Sequence, residues 1–207
     1  MCRFIETIRI EQGELLNLAY HDRRMNAVRR EVWGHQQPLS LASVIDARPY
    51  RERTRCRVTY GREIETVEFF PYQLRPVHAL QLVPGGLIDY HRKRADRSEL
   101  NALFAQRGEA DDVLIVRNGL LTDTSIANVA LWDGSSWYTP ESPLLAGTKR
   151  ASLLDEGRIR PSAIQVSDLS HFRKIRLFNA LIDFGEIEFD CKAILPLENT
   201  CCSSSAE

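Results

Sequence analysis

The sequence predicts an α+β fold, and three observations carry that expectation. Short apolar runs bounded by Gly, Pro, Asn and Asp recur along the chain, as they do where many strands alternate with tight turns. Few stretches place apolar residues at the three-to-four spacing of a helix. Pro and Gly cluster between residues 75 and 90, in Pro76 and Pro84-Gly85-Gly86, and split the chain into a smaller and a larger part.

Taken in order, Phe4 to Ile10 reads as a strand closed by a turn at Glu11-Gln12-Gly13-Glu14. Asn17 stands where a cap would start a helix over Leu18 to Trp33, with Leu18, Met25 and Val28 apolar and Gly34 as the stop. Residues 36–53 carry no clear period beyond a short helical candidate at Leu41 to Ala47. Arg55 to Tyr60 and Glu63 to Phe70 flank Gly61-Arg62 as a hairpin. A further strand at Pro76 to Val83 ends at the Pro-Gly-Gly break.

The second half is more regular. Arg94 to Arg107 has Leu100, Leu103 and Phe104 on one helical face, and Asp112 to Val116 runs as a strand into an Asn118-Gly119 turn. Asn128 to Trp132 and Ser136 to Thr139 are strands around Asp133-Gly134, followed by a helix from about Thr148 to Glu156. Ala163 to Val166 reads as a strand, Ser167 as the cap of a helical turn, and Lys174 to Leu181 and Gly185 to Phe189 as closing strands. The last nine residues, Asn199 to Glu207, are small and polar and read as a frayed tail.

Composition narrows the function. The chain has 207 residues, 43% hydrophobic and 27% charged, with a net charge of -1, so bulk charge supplies no pull toward nucleic acid or anionic lipid. Of the 27 Lys+Arg residues only four are lysine (Lys93, Lys149, Lys174, Lys192), which leaves 23 arginines. Guanidinium forks suit carboxylate and phosphate; GC-rich codon usage is the other source of such a bias. The five cysteines form no CxxC pair and the five histidines lack metal-ligand spacing, so a reducing compartment and no metal site are expected. No apolar run approaches the ~18 residues of a membrane span, and a soluble, cytoplasmic protein is expected.

Four segments could hold chemistry, and each has a plain alternative. His21-Asp22-Arg23-Arg24-Met25 places Arg24 beside an apolar helical seam, as a phosphate ligand would need, or as a solvated arginine pair would also sit. Lys93, within Asp89-Tyr90-His91-Arg92-Lys93-Arg94, has cationic neighbours that would disfavour its ammonium form; a basic loop before a helix has the same look. Leu121 to Asn128 contains Asp123 among small hydroxyl residues, either an acid aimed into a pocket or an ordinary turn. Leu145-Ala146-Gly147-Thr148-Lys149-Arg150 opens a helix whose free N–H groups would suit an anion, or simply starts with threonine.

The order of these segments resembles the class IV aminotransferases. Glu-Thr-Ile-Arg on a strand (Glu6 to Arg9) is followed by His21-x-x-Arg24-Met25 and a lone Lys93 ahead of Asn101-x-Leu103. Then come Asp111-Asp112, Asn118-Gly119, Thr122-x-x-Ser125-x-x-Asn128, Tyr138-Thr139-Pro140 and Leu145-x-Gly147-x-x-Arg150. The family includes branched-chain and D-amino-acid transaminases and 4-amino-4-deoxychorismate lyase, and the match extends from about Ile5 to Phe189.

The resemblance implies the two-domain fold-type IV fold of pyridoxal 5'-phosphate enzymes. A small domain would cover residues 1–75, trimmed of the strands and the aspartate- and glycine-rich turn that usually precede Glu-Thr-Ile-Arg. A barrel-like cofactor domain would cover 76–198 and a flexible tail 199–207. Lys93 would form the Schiff base, Arg24 would bind the cofactor phosphate, and Asp123, in place of the family's glutamate, would face the pyridine nitrogen. The N–H groups of Thr148 and Lys149 would cup the phosphate with Asn179 close by, and the Lys149 charge would add to it. Arg97 resembles the Asn-Arg-Leu arginine of the lyases and would touch substrate; Phe178 to Leu181 resembles their Cys-Asn-Ala-Leu stretch. The expected ligand is a small amino substrate, the expected assembly a homodimer, and the lyase reaction is favoured over transamination. A relative that keeps the fold but only binds an anion or a partner is the alternative.

Overall fold

The chain is described here from a computed structural model covering residues 2–34 and 36–197. The tail expected at 199–207 lies outside the described residues. An antiparallel sheet of order β2-β1-β3-β4 comes first, from β1 (Phe4–Glu11), β2 (Glu14–Leu15), β3 (Thr54–Tyr60) and β4 (Ile64–Pro71), with the helix α1 (Leu18–Trp33) between β2 and β3 in sequence. A second sheet has the order β13-β5-β6-β7, from β5 (Leu80–Pro84), β6 (Asp112–Arg117), β7 (Leu120–Thr124) and β13 (Ile194–Leu195). The helix α2 (Ser98–Phe104) links β5 to β6. The third sheet, β10-β9-β8-β11-β12, contains β8 (Asn128–Trp132), β9 (Trp137–Pro140), β10 (Arg160–Ser162), β11 (Lys174–Phe178) and β12 (Ile187–Asp190), with α3 (Thr148–Asp155) after β9. The mixed α and β content agrees with the expectation; among the described residues the C-terminal strands form two sheets rather than one closed barrel.

Alternation along β1 and β3 decides what meets what. Phe4, Ile8 and Ile10 pair in register with Tyr60, Cys56 and Thr54, and with Val58 they bury against Met25 and Val28 of α1. Side chains one residue along point to the opposite face. There Ile5, Thr7 and Arg9 stand opposite Thr59, Arg57 and Arg55 and look toward the C-terminal sheets. Glu6 falls on the helix-facing side, fully buried, and that placement governs the site.

Local chemistry explains most differences from the sequence expectation. Asn17 precedes α1 in a left-handed conformation with no side-chain cap bond; its carbonyl, not its amide, accepts from Tyr20 and His21. The strand expected from Pro76 begins only at Leu80, because the Asp111 carboxylate takes the N–H groups of His78 and Ala79. The helix expected from Arg94 begins at Ser98, where Asp96 accepts the Ser98 N–H at 2.9 Å. The helical turn after β10 is capped by Gln165 in a capping box with Asp168, not by Ser167. The Asn118-Gly119 turn is as expected: both residues have positive φ, 50 and 78, as a two-residue type I′ hairpin requires.

The run Leu121 to Asn128 is mostly strand rather than turn. Thr122, Asp123 and Thr124 belong to β7 and are all buried. They tolerate burial because each has a partner: the Thr122 hydroxyl donates to Ile115 O at 2.7 Å, and Thr124 Oγ1 accepts the Ala127 N–H at 3.0 Å. Only Ser125 to Ala127 turn the chain into β8.

Candidate active site

A cleft of about 640 Å³, its mouth included, opens where the N-terminal sheet meets the two C-terminal sheets. Its wall brings together Arg24, Lys93, Arg97, Asp123, Thr148 and Asn179, contributed by elements far apart in sequence. That volume is in the range of small-molecule sites. Thr7 and Tyr90 share the wall, and Leu100, Leu144 and Leu145 make part of it apolar.

Lys93 lies on the irregular segment between β5 and α2, yet its backbone is fixed. Ile5 N–H donates to Lys93 O at 2.9 Å and Ala95 N–H to Arg3 O at 2.9 Å, so this stretch is stitched to the start of β1. Extended backbone alternates its side chains, so Lys93 turns inward while its neighbours turn out. Arg92 pairs with Glu31, and His91 and Arg94 pair with Asp89. The neighbouring cations are therefore neutralised, and the expectation that they depress the lysine needs correction. Lys93 is pulled down to about 7 first by burial and then by the Arg24 guanidinium; Arg97 and Arg57 add to this and Glu6 opposes it.

Behind the lysine runs a buried polar chain. Glu6 accepts from Arg24 through both oxygens, at 2.9 Å from Nε and 2.6 Å from Nη2, and from His21 Nδ1 at 2.6 Å. Burial alone would raise the Glu6 pKa, but Arg24 and His21 outweigh it and hold the carboxyl down at about 2. Burial keeps His21 below its ordinary value despite Glu6, so the ring is neutral. With Nδ1–H given to an ionised Glu6, Nε2 is left to accept the Thr148 hydroxyl at 3.2 Å. Glu6 thus aligns both Arg24 and, through His21, the first residue of α3. The remaining Arg24 nitrogen, Nη1, has only a long 3.4 Å contact to Ala146 O and is available to an anion.

The start of α3 carries no side-chain cap. The N–H groups of a first helical turn have no partner within the helix, and they lie at the positive end of its dipole. Gly147 leads into this turn because a Cβ there would come within 2.0 Å of Asn128 Oδ1. Asn128 in turn donates to Asp123 Oδ1 at 2.8 Å and to Leu145 O at 2.9 Å, and Leu145 N–H donates to Asp123 Oδ2 at 2.8 Å. Burial raises Asp123 to about 6, with the Leu145 N–H and the Asn128 amide pulling the other way.

The other expected residues are placed as follows. Arg97 lines the cleft and donates from Nη2 to Ser125 O at 2.8 Å. Asn179 also lines it, but its amide is used locally, donating to Ile126 O and accepting from Leu181 and Ile182 N–H. The Lys149 ammonium turns away from the cleft wall to Asp183 at 3.1 Å.

Comparison with known proteins bears on the family and the fold. The sequence profile described as amino-transferase class IV matches residues 87–188. A Haemophilus influenzae protein named only as uncharacterized is 38% identical over 185 residues, 87% of this chain and 98% of its own length. The crystal structure of a putative 4-amino-4-deoxychorismate lyase from Haemophilus somnus is 36% identical with a TM-score of 0.83, covering 88% of this chain and 97% of that one. This chain belongs to the class IV aminotransferase family. The family's fold is met again in the PLP-bound form of a hypothetical aminotransferase from Mycobacterium tuberculosis, 17% identical with a TM-score of 0.70 over 88% of this chain and 78% of that one.

Within this class IV member, Lys93, Arg97, Asp123, Thr148, Lys149 and Asn179 fall inside the matched range, while Glu6, His21 and Arg24 precede it. Sequence reasoning missed Glu6 as the organiser of Arg24 and His21, and Asn128 as the holder of Asp123. Both left a signal. Glu6 is the one acid in the apolar run Phe4 to Ile10, and Asn128 opens an otherwise apolar strand. No helix among the described residues is long and apolar enough to cross a membrane.

Proposed function

We propose that this chain is a pyridoxal 5'-phosphate enzyme that cleaves a 4-amino-4-deoxychorismate-like substrate to pyruvate and an aromatic amine. The observation that carries the reading is Lys93: an inward-facing lysine brought to about 7, on the same cleft wall as an uncapped helix start and a buried carboxyl. The donor set fits the cofactor. Arg24 Nη1 and the N–H groups of Thr148 and Lys149 would hold its phosphate, Asp123 would keep its ring nitrogen protonated, and Lys93 is the amine to receive its carbonyl carbon. Bound there, the cofactor supplies an electron sink.

The chain's own residues then account for the rest. Near neutral pH a good share of Lys93 carries no proton, so its Nζ can remove the proton from the amine-bearing carbon and deliver one to the methylene carbon of the departing enol. The carbon–oxygen bond of the enol ether breaks and the amine stays on the ring, so the reaction balances without oxidant. Arg97 orients a substrate carboxylate, while Leu100, Leu144 and Tyr90 keep water from the wall. Preference for the lyase over a transaminase rests on Arg97, on Phe178 to Leu181, and on the name carried by the 36% identical relative.

The test is spectroscopic and then chemical. With added pyridoxal phosphate, wild type should develop a visible absorbance band that Lys93→Ala lacks; equal bands in both would sink the reading. Pyruvate release from 4-amino-4-deoxychorismate, followed by coupled reduction to lactate, should then be seen. Oxo-acid formation from amino acids, without pyruvate release from that substrate, would assign a transaminase instead.

A further inference from the structure

The cations around the cleft divide by what neutralises them. Arg9 pairs with Asp183 and Glu11, Arg24 with Glu6, Arg53 with Glu186 and Lys149 with Asp183, while Arg55 stacks on the ring of Phe70. Arg97 has the carbonyl of Ser125 and the Tyr90 hydroxyl beside it, and no carboxylate among the described residues. Arg92, Arg150 and Arg57 each have a buried Nε without a partner, but Arg92 still pairs with Glu31 and Arg150 donates to Pro140 O, whereas among the described residues the Arg57 side chain makes no hydrogen bond or ion pair. Glu68 lies directly across from it on β4, yet the two form no ion pair within 4.0 Å. A guanidinium donor buried and unmatched is unfavourable, and such groups usually await a partner.

Its position says which partner. Arg57 is the register partner of Thr7, on the face of β1 and β3 turned away from α1, and Thr7 forms part of the cleft wall. The charges of Arg57 and Arg97 are felt at Lys93, where they add to the lowering that burial begins, and at Tyr90, where they oppose the rise that burial causes. Two guanidinium groups without carboxylates therefore approach the reactive lysine from different elements, β3 and the start of α2.

We infer that Arg57 and Arg97 each bind one carboxylate of a dicarboxylate substrate, so that Arg57 distinguishes dicarboxylates from monocarboxylates. This rests on the reading of the cleft as the substrate site and extends it to the chemical class of the substrate. Bidentate guanidinium–carboxylate geometry makes the distinction a matter of charge and fit, which a lysine at 57 would reproduce only in part.

The test uses the full chain loaded with pyridoxal phosphate and two unreactive probes, benzene-1,3-dicarboxylate and benzoate, with affinities measured by titration calorimetry. Wild type should bind the dicarboxylate more tightly than benzoate. Arg57→Gln should weaken the dicarboxylate by about 10- to 100-fold, the worth of a lost charge-assisted bond, and leave benzoate within about threefold. Arg57→Lys should fall between. Dicarboxylate binding within about threefold of wild type in Arg57→Gln, or no preference for it in wild type, overturns the inference. The cofactor band of Arg57→Gln should match wild type, which shows that the fold survives. If wild type itself shows no band, the cofactor reading fails, and the same two probes on the cofactor-free chain still decide the role of Arg57.

Discussion

Arg24 lines the cleft from α1, Arg57 stands on β3 beside the wall residue Thr7, and the two are treated in opposite ways. Arg24 is held by both oxygens of a fully buried carboxylate, which also holds His21 and, through it, Thr148. Arg57 has no such companion among the described residues. A cation with a built-in counter-charge is fixed in place before any ligand arrives, as suits a group that must hold one anion for the life of the protein. A cation without one pays in stability and gains by releasing that strain whenever an anion comes and goes. On the proposed reading, the contrast separates a permanent anchor from a receptor.

The largest expected effect comes from breaking the anchored side. Glu6→Gln would leave Arg24 largely buried with its charge uncompensated, which typically costs about 3–5 kcal/mol, or roughly 6–20 °C in melting temperature for a chain of this size. Glu6 is ionised with a pKa held near 2, below its ordinary 4.5, so its contribution is fully present above 4.5 and is lost as pH falls from 4.5 toward 2. Thermal melts of the two proteins should therefore differ at pH 7 and converge near pH 2. A melting shift under about 2 °C at pH 7 would mean that Glu6 does not organise the network.

Lys93 sharpens the comparison through pH. Its folded pKa of about 7 lies below the ordinary 10.5, so the unfolded chain binds the extra proton between those values and stability rises with pH across that window. Below pH 7 the penalty of a charged, crowded lysine is complete. Lys93→Met should consequently stabilise the cofactor-free protein at pH 6 and lose most of that advantage by pH 10, as read from denaturant midpoints. An equal difference at both pH values would contradict the lowering of Lys93 by burial and by Arg24, Arg97 and Arg57.

The smallest effect is expected at Lys149. Its ammonium sits in a partly exposed pair with Asp183, and such pairs contribute at most about 1 kcal/mol. Lys149→Met should shift melting by no more than about 4 °C. If the Lys149 backbone rather than its side chain meets the phosphate, pyridoxal phosphate affinity should stay within about threefold of wild type. A tenfold loss would restore the side-chain role suggested by the sequence.

What could be read in advance follows from the physics of each residue. β1, α1, the Asn118-Gly119 hairpin and α3 were legible because local pattern and packing agree there. β7 was not, because its threonines and aspartate look like a solvated turn until the carbonyl of Ile115 and the N–H groups of Ala127 and Leu145 are brought against them. Lys93 was legible as a candidate but for a reason that needed replacing: its chain neighbours are neutralised, and burial, then arginines distant in sequence, act instead. Arg57 carried no signal at all, since an arginine on an alternating strand looks solvent-facing unless a second layer covers it.

The backbone bonds that tie residues 93 and 95 to residues 3 and 5 join parts of the site that lie far apart in sequence. Contacts of that kind close large loops and form late when a chain folds. Because β1 is also an inner strand of its sheet and carries Phe4, Ile8 and Ile10 into the core against α1, the placement of the lysine and the integrity of that sheet depend on the same strand.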